Sequence, residues 1–312
     1  MRILALVPGG IGDQILFFPT LDDLKATYPD AQIDVVVEPI AKAAYRISKS
    51  VNDTILFDFK GRNSLSDWSN LLGVMRDREY DMALSFSQRR GIGFLIWLSG
   101  IPIRVGYGSE KDRPFFTHTI ALDADQYAGT MYHDLLQGLN IDRPLSEVAV
   151  SVPAKDLEWA DAERKRLGLQ DGRYVLIYPG TSEEAYPAEN WRKVVQGFQQ
   201  KHVDLPIVVL KDQEAAAIAS ELVALCSGVK VTAPENIGQS VSMIAGASLM
   251  LCVDSASLYS AIAAQTFTLA LFGATDPEKR LPKSDQLSSI KSPTGKMADI
   301  SPQMVLDRIL GG

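Results

Sequence analysis

VPGGIGDQILFFPTLDDLK, residues 7–25, decides how the rest of the chain is read. It grows out of a short apolar run, RILALV at 2–7, and reads as strand, glycine-rich turn and helix. Such a turn usually seats an anion, because the first N–H groups of a helix have no partner within it. Here a fixed negative charge, Asp13, already stands at the exit. Two readings are open. Asp13 caps the helix, or it is a carboxylate at the mouth of a crevice, able to take a proton from a substrate hydroxyl.

The alternation then continues. Strands are expected at 32–37, 54–57, 81–86 and 103–107, and again at 173–178, 206–211, 229–231, 249–254 and 267–272. Helices are expected between them at 14–27, 66–78, 188–201, 213–226 and 240–246. Apolar strands separated by helices imply parallel sheets covered on both faces. The pattern occurs twice, and a proline-started, charged stretch at 151–172 joins the halves. The fold class that follows is α/β, with two doubly wound Rossmann-like domains, 1–155 and 156–312, facing each other across a cleft. Ligands in such sheets bind beyond the carboxyl ends of the strands.

Composition narrows the function. The 312 residues are 46% hydrophobic and 22% charged, with a net charge of −7. That balance argues against a nucleic-acid partner. Cys226 and Cys252 sit in apolar segments without metal-ligand spacing, as buried reduced thiols of a cytoplasmic protein do. His118, His133 and His202 show no paired spacing, so no metal site is expected. No apolar run is long enough to span a bilayer, which leaves peripheral contact with the inner face of the cell membrane open. GGIGD only partly fits a dinucleotide fingerprint. Gly10 and Gly12 match its first two glycines, Ile15 takes the place of the third, and only Glu38 follows the second strand.

GGIGDQILFFPTLDDLKATYPDAQIDVVV (9–37) resembles the opening of the glycosyltransferase family that includes the ADP-heptose:lipopolysaccharide heptosyltransferases. Members typically begin G-x-G-D, then P-x-L-x-x-L-K, then P-x-A-x-I-D. The resemblance continues through IPIRVGY with FFTH, IYPGTS, VDSAS, LFGATDP and ISPQMVLDRIL, in family order along the whole chain. It implies a GT-B fold and transfer of a sugar from a nucleoside-diphosphate donor to a sugar hydroxyl of a lipopolysaccharide or related envelope glycan. Inversion is implied, with Asp13 as catalytic base and Gly12 in a turn that leaves room for the acceptor. No cofactor is implied; the nucleotide-sugar is a substrate.

On the donor side, Gly180, Thr181 and Ser182 of IYPGTS can hold a diphosphate through backbone N–H groups. Glu214 follows the next strand, where the family places a glutamate on the ribose; read alone it is a first-turn helix acid. Asp254 and Ser255, and Gly273 and Thr275, mark two further strand ends, where turn chemistry is the plainer account. On the acceptor side, Lys60, Arg62, Gln88, Arg89 and Arg90 lie beyond first-half strands. They can bind an anionic glycolipid or polysaccharide, or form solvated basic loops.

Two positions depart from the family. It usually has K-x-W-P after the phosphate loop, and this chain has Glu184-Ala185-Tyr186-Pro187. It usually has D-S-G-P-x-H, and this chain has Asp254-Ser255-Ala256-Ser257-Leu258-Tyr259. Glu184 and Tyr259 therefore stand where a lysine and a histidine would face the diphosphate. They favour the rival expectation, a protein of this fold that binds a sugar nucleotide or glycan without turnover. A sugar-nucleotide epimerase would want a histidine and glutamate pair for acid–base work, and none is evident.

Overall fold

A computed structural model describes residues 1–61, 63–109, 114–170, 173–181 and 185–311. The chain divides into two compact units, Met1–Ser151 and Val152–Gly312.

The first unit is built on six parallel strands: β1 (Arg2–Val7), β2 (Gln32–Val37), β3 (Asp53–Leu56), β4 (Met82–Ser85), β5 (Ile103–Tyr107) and β6 (His118–Ile120). Their order is β3-β2-β1-β4-β5-β6. Helices α1 (Ile11–Thr27), α2 (Leu65–Asp77), α3 (Arg90–Ser99) and α4 (Ala128–Asp134) connect them or follow. β1 and β2 are buried from their second residues onward, which is why they read as unbroken apolar runs and not as alternating ones. α1 shows no polar face either. Gln14, Phe17, Phe18 and Pro19 are all buried with the leucines. Its buried amide is satisfied, with Gln14 Nε2 donating to the Val7 carbonyl at 3.2 Å and Oε1 accepting from Tyr45 Oη at 2.6 Å.

The second unit opens with α5 (Ala154–Arg166). It continues β7 (Val175–Tyr178), α6 (Ala188–Lys201), β8 (Ile207–Leu210), α7 (Ala216–Leu225), β9 (Lys230–Thr232) and α8 (Ile237–Ala245). It ends β10 (Leu249–Val253), α9 (Ala256–Ala263), β11 (Thr268–Phe272), β12 (Leu287–Lys291) and α10 (Pro302–Leu310). Its sheet order is β12-β11-β10-β7-β8-β9, all parallel. Counted from its own first strand, that is the order of the first unit again. Both sheets therefore reverse strand order at one place, between β1 and β4 and between β7 and β10, where doubly wound sheets open a crevice.

Among the elements outside the expected strands and helices, three bear on the site or the sheet edges. β6 and β12 are short, partly exposed edge strands, HTI and LSSIK, without an apolar run to announce them. α3 replaces an expected loop after β4. Its buried Ile92, Leu95 and Ile96 recur at helical spacing, but Gly91 and Gly93 disguise it. Arg90 is consequently the first residue of a helix and not part of a loop.

Candidate active site

In the first unit the turn after β1 takes its positive φ at Gly9, at +113°. A side chain there would also collide with Asp13, since a Cβ would lie 2.4 Å from Oδ2. Gly10 caps α1 from an extended conformation, and Gly12 is buried in the first helical turn. Asp13 is not the cap. It sits at the third helical position and reaches back, Oδ2 accepting the Gly10 N–H at 2.9 Å.

Its other oxygen has a partner that the sequence did not suggest: Tyr132 Oη on α4 donates to Oδ1 at 3.0 Å. The Tyr132 ring is held edge-on by Phe86 at 5.8 Å and Phe17 at 6.2 Å. The carboxylate is thus fixed at the carboxyl end of β1, beside β4, at the switch point of the first sheet.

Gln88, Arg89 and Arg90 come together. With Tyr107, Phe115 and Phe116 they line a pocket of about 290 Å³ at the carboxyl ends of β4, β5 and β6. The RVGY segment builds its wall. Arg104 Nε donates to the Phe115 carbonyl at 2.8 Å. A Cβ on Gly106 would lie 2.5 Å from the Phe116 ring, so only glycine admits that ring. Tyr107 Oη donates to the Met131 carbonyl.

Lys60 is exposed beyond β3, on a loop gathered by Asp58, whose Oδ1 accepts the Lys60 and Gly61 N–H groups at 2.9 and 2.6 Å. The Arg89 guanidinium donates to the Phe59 carbonyl and joins that loop to the pocket. Those N–H groups, led by Gly61, hold the Asp58 carboxyl low, with help from Glu38 and Arg89. Burial, the charge of Asp58 and a hydrogen bond with it push the neighbouring Glu38 carboxyl up. Arg62 lies outside the described residues.

In the second unit, parallel pairing brings Gly273 and Thr275 (after β11), Asp254 and Ser255 (after β10), Gly180 and Thr181 (after β7) and Glu214 (after β8) to one edge of four neighbouring strands. Gly180 has φ +103°, which glycine adopts without strain. The start of this loop is anchored from behind, where buried Trp191 donates its indole N–H to the Pro179 carbonyl at 3.2 Å. Tyr186, in the place of the family tryptophan, is fully buried against Trp191 and donates to the Ile300 carbonyl at 2.9 Å. Ser182 and Glu184 lie outside the described residues.

Glu214 is exposed in the turn before α7 and does not belong to the helix. Asp212 holds that turn, accepting the Ala215 N–H at 2.8 Å and the Tyr178 hydroxyl at 3.5 Å. Burial and the charges of Asp212 and Glu214 push the Tyr178 phenol up. Ser255 is the N-cap of α9, yet its hydroxyl turns back to the Val253 carbonyl at 3.1 Å. Asp254 Oδ1 accepts from Tyr259 Oη at 3.3 Å, and Tyr259 is only 6% exposed. Gly273 packs close to the Gly295 carbonyl, and Thr275 stands at a bend before a short 3-10 turn.

Comparison with known proteins gives this arrangement its context. The model of glycosyltransferase family 9 (heptosyltransferase) matches residues 68–309. The chain belongs to that family. A lipopolysaccharide heptosyltransferase 3 of Escherichia coli is 23% identical over 85% of this chain and 81% of its own. A chloroplastic protein of Arabidopsis thaliana, photosynthetic NDH subunit of subcomplex B 1, is 24% identical over 96% of this chain and 71% of its own. The solved ADP-heptose lps heptosyltransferase II of E. coli superposes with a TM-score of 0.78 at 19% identity, over 100% of this chain and 98% of its own. This family-9 chain therefore shares the GT-B fold of the heptosyltransferases. Among its described residues no cluster of three or more His, Cys, Asp or Glu is placed to hold a metal, and no helix is long and apolar enough to cross a membrane.

Proposed function

We propose that this protein is an inverting glycosyltransferase that moves a sugar, heptose or a close relative, from an ADP-sugar to a hydroxyl of a lipopolysaccharide-like glycan. The observation that carries the reading is Asp13, oriented by Gly10 and Tyr132 at the switch point of the first sheet in a family-9 chain. In one displacement the acceptor oxygen bonds to the anomeric carbon, the bond to the diphosphate breaks, and Asp13 takes the hydroxyl proton. No second nucleophile is required. Backbone N–H groups of the Gly180–Ser182 loop and the first turn of α9 stabilise the departing diphosphate. Glu214 is assigned to the ribose, Asp254, Ser255, Gly273 and Thr275 to the rest of the donor. The aromatic and cationic pocket at Gln88–Arg90, with Lys60 and Arg62, takes the anionic acceptor. The work is assigned to the cytoplasmic side, where nucleotide-sugars are made.

The test is direct. Thermal unfolding in the presence of ADP, GDP, UDP and their sugars should single out the adenine nucleotides. A ligand at about 100 times its dissociation constant adds roughly 2.7 kcal/mol. Release of ADP from ADP-heptose with a lipopolysaccharide core acceptor should follow, and no response to any nucleotide would end the reading. A second reading is favoured by one relative. The Arabidopsis protein, as similar as the transferases, is named as a subunit of a photosynthetic complex. In that reading this chain binds a sugar nucleotide or glycan without turnover, and Glu184 and Tyr259 would be its marks. Nucleotide binding with no transfer would select it.

A further inference from the structure

Helix α3 presents an exposed stripe of which the proposed reaction uses only Arg90, at its start. Its exposed positions are Arg90, Gly91, Phe94 and Trp97, spaced i, i+1, i+4 and i+7, while Ile92, Gly93, Leu95 and Ile96 are buried. Phe94 and Trp97 are 46% and 47% exposed, and their rings stack with centroids 5.8 Å apart. Phe115 meets Phe94 edge-on at 6.1 Å. The patch continues onto α2. Trp68 packs so near Gly91 that a Cβ there would lie 3.3 Å from its ring, and Leu65, one turn earlier, is 86% exposed.

Its chemistry selects an occupant. The Trp97 indole, with an apolar body and an N–H edge, favours the headgroup level of a bilayer, and phenyl rings beside it suit the headgroup/acyl boundary. Cations bracket the rings. Arg89 and Arg90 stand at the start of the helix, and Arg76 reaches its far end, donating to the Leu98 carbonyl at 2.7 Å. In a chain of net charge −7, that grouping is complementary to anionic headgroups. The patch also runs into the pocket described above, since Arg90, Gly93 and Phe115 line it.

We propose that the α3 face, centred on Phe94 and Trp97, docks on an anionic lipid surface. A glycolipid acceptor would then rise from the bilayer directly into the pocket beside it. That last step rests on the transferase reading; the docking does not.

The full chain is sedimented with phosphatidylcholine vesicles made with and without phosphatidylglycerol. The wild type should partition onto the phosphatidylglycerol vesicles, less so in high salt. The double substitution Phe94→Ser with Trp97→Ser should lower partition at least about tenfold. Its thermal midpoint should hold, because both side chains are exposed. If that variant does not fold, Trp97→Gln alone is read in the same way. Absence of partition by the folded wild type overturns the proposal, as does undiminished partition by the variant. So does a dimer, seen in sedimentation velocity, that the variant loses while neither protein binds vesicles; the face would then join two copies. Failure to bind ADP would strike the transferase reading and leave this one standing.

Discussion

Both oxygens of Asp13 are engaged, one by the Gly10 N–H and one by Tyr132. Substitutions therefore separate structure from chemistry. Asp13→Asn keeps an amide oxygen for Gly10, so folding should barely change, while transfer should fall roughly 10²–10⁴-fold. Calorimetry should show ADP affinity unaltered, because the residues proposed for the donor belong to the other unit. Asp13→Ala should lose about 1 kcal/mol of stability as well. The second prediction at this scale concerns Glu184 and Tyr259. Tyr259 is buried with its hydroxyl on Asp254, so the charge of Glu184 should dominate. Glu184→Lys with Tyr259→His should tighten ADP at least about tenfold, or 1.4 kcal/mol. The gain should shrink in high salt, and no gain at low salt would remove Glu184 from the donor site.

At the scale of single elements, β2 and the residue that follows it carry two carboxyls of opposite behaviour. Asp34, fully buried in mid-strand, accepts from Asn52 at 2.8 Å, Tyr80 at 2.7 Å, Arg78 at 2.7 Å and Arg2 at 3.3 Å. Burial opposes its charge, yet the bonds from Asn52, Tyr80 and Arg78 outweigh that and hold its carboxyl below the ordinary value. Its contribution is therefore present above pH 3.8 and lost as pH falls through the depressed value. Asp34→Ala should cost about 3 kcal/mol, the low end for a broken buried pair because Arg2 and Arg78 are partly exposed. Denaturant unfolding at neutral pH would measure it, and most of the loss should vanish in strong acid. Glu38, just beyond the strand, runs the other way. Burial and Asp58 raise its carboxyl, so its ionised form weakens the fold above that raised value and costs nothing below pH 4.5. Glu38→Gln should raise the urea midpoint at neutral pH and give no advantage in acid. A lower midpoint at neutral pH would show that the carboxylate is needed to hold the Asp58 loop.

For the whole molecule, the residues proposed for the donor all lie in Val152–Gly312, so ADP should raise the calorimetric transition of that unit first. Uniform broadening with no upward shift would count against a donor site there. How much of this was legible beforehand follows from what each signal depends on. Strands β1, β2 and β5 and helix α6 could be read to the residue, because burial on both faces or one apolar stripe is written locally in the chain. Repetition of that pattern gave the doubled sheet, and family motifs gave the order of the loops. Strands β6 and β12 were not legible, since HTI and LSSIK are partly exposed and carry no apolar run. Nor were the partners of the site. Tyr132 is 119 residues from Asp13, Trp191 holds the Pro179 carbonyl from within α6, and Asp212, not Glu214, fixes the turn after β8. The sequence by itself determined the order of most strands and helices and the doubling of the parallel sheet, because periodicity and turn chemistry act over a few residues. Only the tertiary structure decided which side chains orient those residues, because a hydrogen bond or ring contact across the fold depends on packing that leaves no local trace.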